Sequence, residues 1–400
     1  IDGGSEWMAS FELACQARGI RLFVLPPRSP KLNGCVERAN RTHTEEFWEC
    51  YDGDLDVVFG TQGGLVLWSN RGDMTFDDIS SWSQLPEAGG RVHSLIAVDW
   101  DRDVDIDILV ASADGGPRGY LENLRHGHFR WTPAPEGFAA WADASWLDIV
   151  ESDGNVSWDL VLSGNKGTQL LLTATAPPVV TARRTAEVDG QTLVGGVLGD
   201  CDNNGATDLV GWRDGKLFIS RGAGTEGGLQ KLDPIEVSGT VATCDLGDFD
   251  NDGDLDLVVA GSNGVAWIRN EDGQKLHWLS FKLQGGDEEL VGRINHFAIG
   301  STIEIKSLEH YQAQVVTRPL THFGLGNDSA AAIARIIFPN GVPQAVIDPK
   351  PDQVVQEKQR INTSCPFLYT WDGERFVFCT DLLWNAPLGL QTGGGGIMPD

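Results

Sequence analysis

Asp248-Phe249-Asp250-Asn251-Asp252-Gly253-Asp254-Leu255-Asp256, followed at once by the apolar run Leu257-Val258-Val259-Ala260, is the stretch that decides the fold. Acidic side chains stand at positions 1, 3, 5 and 9 of this nine-residue loop, and glycine stands at position 6. The pattern returns upstream. Asp200, Asp202, Asn204 and Asp208 hold the same four positions around Gly205 and lead into Leu209-Val210-Gly211-Trp212. Asp99, Asp101, Asp103 and Asp107 do so with Val104 at position 6, and Glu151, Asp153, Asn155 and Asp159 with Val156 there. A vestige, Asp52-Gly53-Asp54-Leu55-Asp56, carries Trp48 and Cys50 where its first two acidic positions fall. Loop starts at 48, 99, 151, 200 and 248 define a period of about 50 residues, the length of a propeller blade.

Each unit supplies a loop, a buried-type strand, a glycine-containing turn, a second strand and a variable stretch for outer strands. Short strands at even spacing predict a mainly β chain, with five recoverable units stacked as β-propeller blades. Oxygen-bearing side chains at alternate positions of a tight loop converge on one point, and glycine at position 6 permits positive φ. Hard oxygen donors in a flexible loop suit Ca²⁺ better than Mg²⁺, which demands a tight octahedron. The expected ligands are Asp248, Asp250, Asp252 and Asp256; Asp200, Asp202, Asn204 and Asp208; Asp99, Asp101, Asp103 and Asp107; and Glu151, Asp153, Asn155 and Asp159. The last two loops, lacking glycine at position 6, are expected to bind more weakly.

Composition agrees. The formal net charge of the 400 residues is -27, from 57 Asp and Glu against 30 Lys and Arg. Such an excess attracts divalent cations and repels nucleic acid. No apolar run approaches the roughly 18 residues of a membrane helix. The seven cysteines, Cys15, Cys35, Cys50, Cys201, Cys244, Cys365 and Cys379, form no CxxC pair, so neither a zinc site nor a disulfide framework is indicated.

The D-x-D-x-D-G-x-x-D loop followed by an apolar strand resembles the FG-GAP or VCBS repeats of integrin-α-type propellers over 48–291. That resemblance implies a seven-bladed ring of which five units are recoverable, structural calcium in the loops, and a protein or glycan ligand bound by other loops. It also implies an extracellular or envelope-associated protein without catalytic activity.

From 292 the acidic loops stop and STIEIKS and YQAQVV alternate with period two, as in a half-buried sheet. HFGLG at 322–326, ARIIFPNG at 334–341 and the turn Ala298-Ile299-Gly300 make 292–360 resemble the ASPIC/UnbV domain of cartilage-acidic-protein-like chains. His322 reads as a packed or hydrogen-bonded residue, and Asn327 and Asp328 as turn residues. Residues 361–400 predict a hairpin about Asp372-Gly373, in a segment that reads as cut short.

Residues 1–47 differ, with six basic and six acidic side chains and a helix-strand-helix pattern. IDGGSEW and NGCVERANRTHTEEF resemble the C-terminal part of a retroviral-type (rve) integrase core, a family that performs strand transfer with two Mg²⁺ ions on an Asp-Asp-Glu triad. Asp2 and Glu37 match its second Asp and its Glu, 35 residues apart; Gly4, Glu6, Pro30, Asn33 and Asn40 fall on the accompanying motif. Lys31, Arg38 and Arg41 would then face DNA. The triad's first Asp would lie upstream of Ile1, so this fragment is expected to be catalytically incomplete, and the break near Phe47 reads as a join of unrelated sequences.

Overall fold

The computed structural model describes residues 57–360, apart from short internal stretches of which 223–231 is the longest, and two strands between 367 and 381. Two compact units divide the chain, Asp52–Arg360 and a second made of Ile1–Tyr51 with Ile361–Asp400. Within the second unit the described residues are β26 (Phe367–Trp371) and β27 (Phe376–Asp381), an antiparallel hairpin. The expected tail hairpin is therefore present. The integrase-like helices, with Asp2, Glu37, Lys31, Arg38 and Arg41, and the vestigial loop from Trp48 to Asp56, lie outside the described residues.

Five small antiparallel sheets follow one another in the large unit. The first is β1 (Val57–Thr61), β2 (Gly64–Asn70) and β3 (Phe76–Asp78). The second is β4 (Val92–Val98), β5 (Asp107–Ser112), β6 (Gly119–Asn123) and β7 (Phe129–Pro133). The third is β8 (Ala144–Val150), β9 (Asp159–Gly164), β10 (Gly167–Ala174) and β11 (Val179–Thr185). The fourth is β12 (Gly195–Gly199), β13 (Asp208–Arg213), β14 (Lys216–Ser220) and β15 (Asp233–Ile235); the fifth is β16 (Val241–Gly247), β17 (Asp256–Gly261) and β18 (Gly264–Ile268). Strands run in sequence order across each of these sheets, and each of the four full acidic loops joins the first strand of its sheet to the second.

Successive sheets bury a face against one another because residues two apart on a strand share a face. Leu65, Leu67 and Ile79 of the first sheet meet Val92, Ile108, Val110 and Leu121 of the second. Leu109 and Ala111 meet Leu147, Leu160 and Leu162 of the third around Trp100, Phe138, Trp141 and Trp158. Val161, Leu170 and Leu172 meet Leu193 and Leu209 at the fourth, and Val210 and Leu217 meet Cys244, Leu246, Leu257 and Val259 at the fifth. The repeat thus forms a row of stacked sheets. Among the described residues the row is not closed into a ring.

β19 (His277–Gln284), β20 (Thr302–Ser307), β21 (Tyr311–Val315), β22 (Thr321–Gly326), β23 (Ala331–Ile337), β24 (Pro343–Ile347) and β25 (Gln353–Lys358) build a two-layer sandwich. One layer orders β22-β19-β25, with β19 and β25 parallel; the other orders β21-β20-β23-β24. Leu279, Phe281, Phe323 and Leu325 of the first layer fill its core with Ile303, Ile305, Ala334 and Ile336 of the second. The expected strands of 292–360 are all seen, and Ala298 and Gly300 take φ of 52° and 92° at the opening turn. The sandwich nevertheless begins before 292: β19 lies in the stretch assigned to the repeats, yet it pairs with β22 and β25.

Leu209 is fully buried between sheets, whereas Val179 is 58% exposed. Leu209→Ala is expected to lower unfolding stability by about 3 kcal/mol. Val179→Ala should change it by less than about 0.5 kcal/mol, both read from urea midpoints.

Candidate metal-binding loops

The ninth-position aspartates Asp107, Asp159, Asp208 and Asp256 are at most 1% exposed. Each ties its loop to the hairpin that follows. One oxygen accepts the N–H of position 2, from Trp100 (3.3 Å), Ser152 (3.1 Å), Cys201 (2.9 Å) or Phe249 (3.2 Å). The other accepts an N–H just past or at the end of the next strand, from Asn123 (2.8 Å), Thr173 (2.8 Å), Gly222 (2.6 Å) or Asn270 (2.7 Å). The ninth residue, expected as a plain ligand, is thus first a clamp between backbone segments.

At position 1, Asp200 accepts from the N–H groups of Asn204 and Gly205 at 3.1 and 2.7 Å, and Asp248 from those of Asp252 and Gly253 at 3.1 and 3.2 Å. These bonds require two left-handed residues. Gly205 and Gly253 supply one at position 6, with φ of 88° and 93°. Position 4 supplies the other through Arg102, Gly154, Asn203 and Asn251, a requirement the residue pattern did not disclose. In the Glu151 loop Val156 stands at position 6 with φ of 71°, a strained setting for a β-branched residue. Val104 lies outside the described residues.

Three loops gather carboxylates whose oxygens lie within 4.8 Å of one another: Asp99, Asp101 and Asp103; Asp200, Asp202 and Asp208; Asp248, Asp250 and Asp252. Asn204 keeps its side chain in its loop, accepting from Ala206 N–H at 2.7 Å. The Glu151 loop is wired differently. Asn155 turns its amide to Asp153 and to the Thr173 carbonyl, and Ser152 covers Asp159. Crowded, desolvated carboxylates resist ionisation. Burial pushes Asp107 and Glu151 up to about 8 and Asp208 to about 7, and raises Asp200 well above the usual range with Asp208 as the next cause. Such carboxylates fit a bound cation, whose charge offsets the repulsion.

Residues outside the motif complete these sites. Arg221 and Arg269, each 13 residues after its ninth aspartate, reach back to Asp202 (3.0 Å) and to Asp250 (2.6 Å) and Asp252 (3.1 Å). Asp254, fully buried at position 7 against Gly273, is pushed to about 7, by burial first and then by Asp252. Both patterns recur at fixed offsets from a loop and are readable once the loops are aligned.

The sandwich rests on the loops. Arg102 pairs with buried Glu304 at 3.4 Å and lies 4.3 Å over Trp158, while Tyr311 (2.8 Å) and Arg335 also hold Glu304. Asn203 accepts from His322 at 2.6 Å, and its carbonyl accepts the Gly326 N–H at 2.8 Å. His322 is buried, stacks on Trp278 and meets Ser280 at 3.0 Å; burial lowers it to about 4. It is packed and hydrogen-bonded as expected. A methyl at Gly324 would come 2.0 Å from an Asp200 carboxylate oxygen.

Among known proteins, the FG-GAP-like repeat family matches residues 51–110 and 200–259. No curated protein matches the sequence. The chain is similar to an Agrocybe aegerita lectin described as recognising non-reducing terminal N-acetylglucosamine, at 16% identity and a TM-score of 0.43, covering 56% of this chain. It spans 62% of that lectin's length. It is also similar to the V. cholerae biofilm matrix protein Bap1 (12% identity, TM-score 0.32, 73% of this chain and 55% of that one). A Lactobacillus plantarum protein shows 9% identity and a TM-score of 0.34 over 82% of each chain.

Carboxylates with raised folded pKa stabilise the fold when protonated, and that contribution is lost as pH climbs through the folded value. For Asp107, Glu151 and Asp208 the loss spans pH of about 4 to about 8. Chelator-treated protein is therefore expected to melt at progressively lower temperature from pH 5 to pH 9, in a scan by differential scanning calorimetry. Gly324→Ala should lower stability by about 1–3 kcal/mol through overpacking against Asp200, and should speed proteolytic cleavage around the sandwich.

Proposed function

We propose that the chain is a calcium-stabilised propeller-type binding or adhesion protein without catalytic activity, its rim loops displayed for a protein or glycan ligand outside the cell or at its envelope. The observation that carries it is the threefold convergence of carboxylates on loops bent by a left-handed residue at position 4 and, in the Asp200 and Asp248 loops, by a left-handed glycine at position 6. Asp99, Asp101 and Asp103, then Asp200, Asp202 and Asp208, then Asp248, Asp250 and Asp252 would hold the ions. Calcium suits them because flexible, all-oxygen loops tolerate its irregular shell. The ions serve structure, joining neighbouring strands so that the remaining loops stand on a rigid base.

A non-enzymatic reading is supported by the one serine-histidine side-chain hydrogen bond found among the described residues. Ser280 and His322 are in hydrogen-bond reach, but they are 0% and 5% exposed and end on Asn203, so the string ties the sandwich to the Asp200 loop in a buried setting. The thiols of Cys201 and Cys244 are both raised by burial, the opposite of an activated nucleophile.

Calcium titration by calorimetry, with melting in calcium, magnesium and chelator, tests the proposal. At a hundredfold excess over Kd each ion should add about 2.7 kcal/mol of stability, and magnesium clearly less. Asp202→Asn and Asp250→Asn should each remove one bound ion. Absence of binding heat together with an unmoved melting curve would overturn the reading.

A further inference from the structure

The row of five sheets uses one interface four times, and the end faces that no sheet covers among the described residues are the two halves of a fifth. In each sheet the residue two after the ninth aspartate faces the following sheet. Leu109, Val161 and Val210 are buried in this way, and Val58 packs into the boundary between the first two sheets. In the fourth sheet Val210 and Leu217 are fully buried against the fifth, with Trp212 and Ile219 packed beside them. The same register in the fifth sheet selects Val258, Ala260, Val265 and Trp267, paired across the strands as Val258 with Trp267 and Ala260 with Val265. There Val265 is 75% and Trp267 54% exposed.

The first sheet shows the complementary deficit. Ile108 and Val110, Leu160, Leu209, and Leu257 and Val259 face the preceding sheet in the later repeats. Their counterparts Val57 and Phe59 share a face with Val66, Trp68 and Phe76, since Val57 pairs with Trp68 and Phe59 with Val66. Phe59, Trp68 and Phe76 are 39%, 40% and 42% exposed and form a continuous aromatic strip, Phe59 edge-on to Trp68 at 5.1 Å and Trp68 tilted against Phe76 at 6.3 Å.

We propose that these end faces bind each other between copies of the chain, the fifth sheet of one molecule seating Val265 and Trp267 on the Phe59, Trp68 and Phe76 strip of the next. The occupant follows from continuity: every other face of this register in the row is covered by a sheet of the same repeat, and a second copy brings that surface. The contact joins two different patches, so it is head-to-tail and propagates until the rotation closes a ring. The association does not depend on the calcium reading.

Light scattering after size exclusion, over rising protein concentration, reads the outcome. The wild-type chain is expected to at least double in mass. Trp68→Asp and Trp267→Asp, each blocking one face at an exposed position, should both be monomeric with unchanged circular dichroism. Mixed in equal amounts they retain one good face of each kind and should form a pair and nothing larger. Phe59→Lys and Val265→Lys repeat the test should either aspartate variant melt early. A wild-type chain that stays monomeric, single variants that still self-associate, or a mixture that stays monomeric would each overturn the proposal, as would binding of a glycan to the aromatic strip of a monomeric chain.

Discussion

A buried carboxylate that accepts two backbone N–H groups holds each repeat together. Asp107, Asp159, Asp208 and Asp256 each join the start of a loop to the far end of the hairpin behind it, 14 to 16 residues beyond the aspartate itself. Hydrogen bonds to a charged acceptor are among the stronger local ties, at about 1.5–3 kcal/mol each before desolvation is counted. Desolvation is the opposing force, and it is visible in the raised pKa of Asp107, Asp159 and Asp208. At Asp208 two more carboxylates, Asp200 and Asp202, lie within 4.8 Å and make that opposition worse. The loop is therefore a geometry that favours protonation, and a cation would offset the same repulsion while keeping every backbone bond.

The same clamp fixes what the loop presents outward. With position 2 tied down and position 1 holding the amides of positions 5 and 6, position 4 is forced into a left-handed conformation at the loop tip. In two loops that tip is what the sandwich contacts: Arg102 against Glu304 and Asn203 against His322 and Gly326. The acidic loops and the sandwich thus share residues. A shift of the Asp200 loop must be felt at Gly324, which has no room for even a methyl group. Linkage then runs both ways, because whatever steadies the loop steadies the seat of the sandwich.

The hairpins, the loop positions and the strands of 302–358 were legible because each is a local pattern, two-residue alternation or acidic residues at fixed spacing. His277–Gln284 was misassigned for the same reason. It follows β18 by the 8-residue gap that is ordinary for an outer strand, and nothing local reveals that its partners lie at 321–326 and 353–358. The clamp of the ninth aspartate was hidden because a ligand and a backbone acceptor demand the same side chain. Left-handed position 4 was hidden because the loops fill it with Arg102, Gly154, Asn203 and Asn251, of which only glycine and asparagine favour that conformation. The sequence of the fifth sheet reads like that of the fourth; only what stands next to it differs.

That last contrast bears on why the row ends where it does. Sheets two to four each have an outer strand, β7, β11 and β15, but the fifth has β18 at its described margin, because β19 is drawn into the sandwich. The exchange is physically reasonable. As an outer strand, β19 would have one hydrogen-bonded neighbour and a half-wet face; in the sandwich it lies between β22 and β25 with Leu279, Phe281 and Leu283 at most 2% exposed. At about 1.5–3 kcal/mol for each large apolar side chain removed from water, the central position wins. The fifth sheet therefore ends on β18, and Val265 and Trp267 lie on the face that in the earlier sheets is covered by the next sheet of the row.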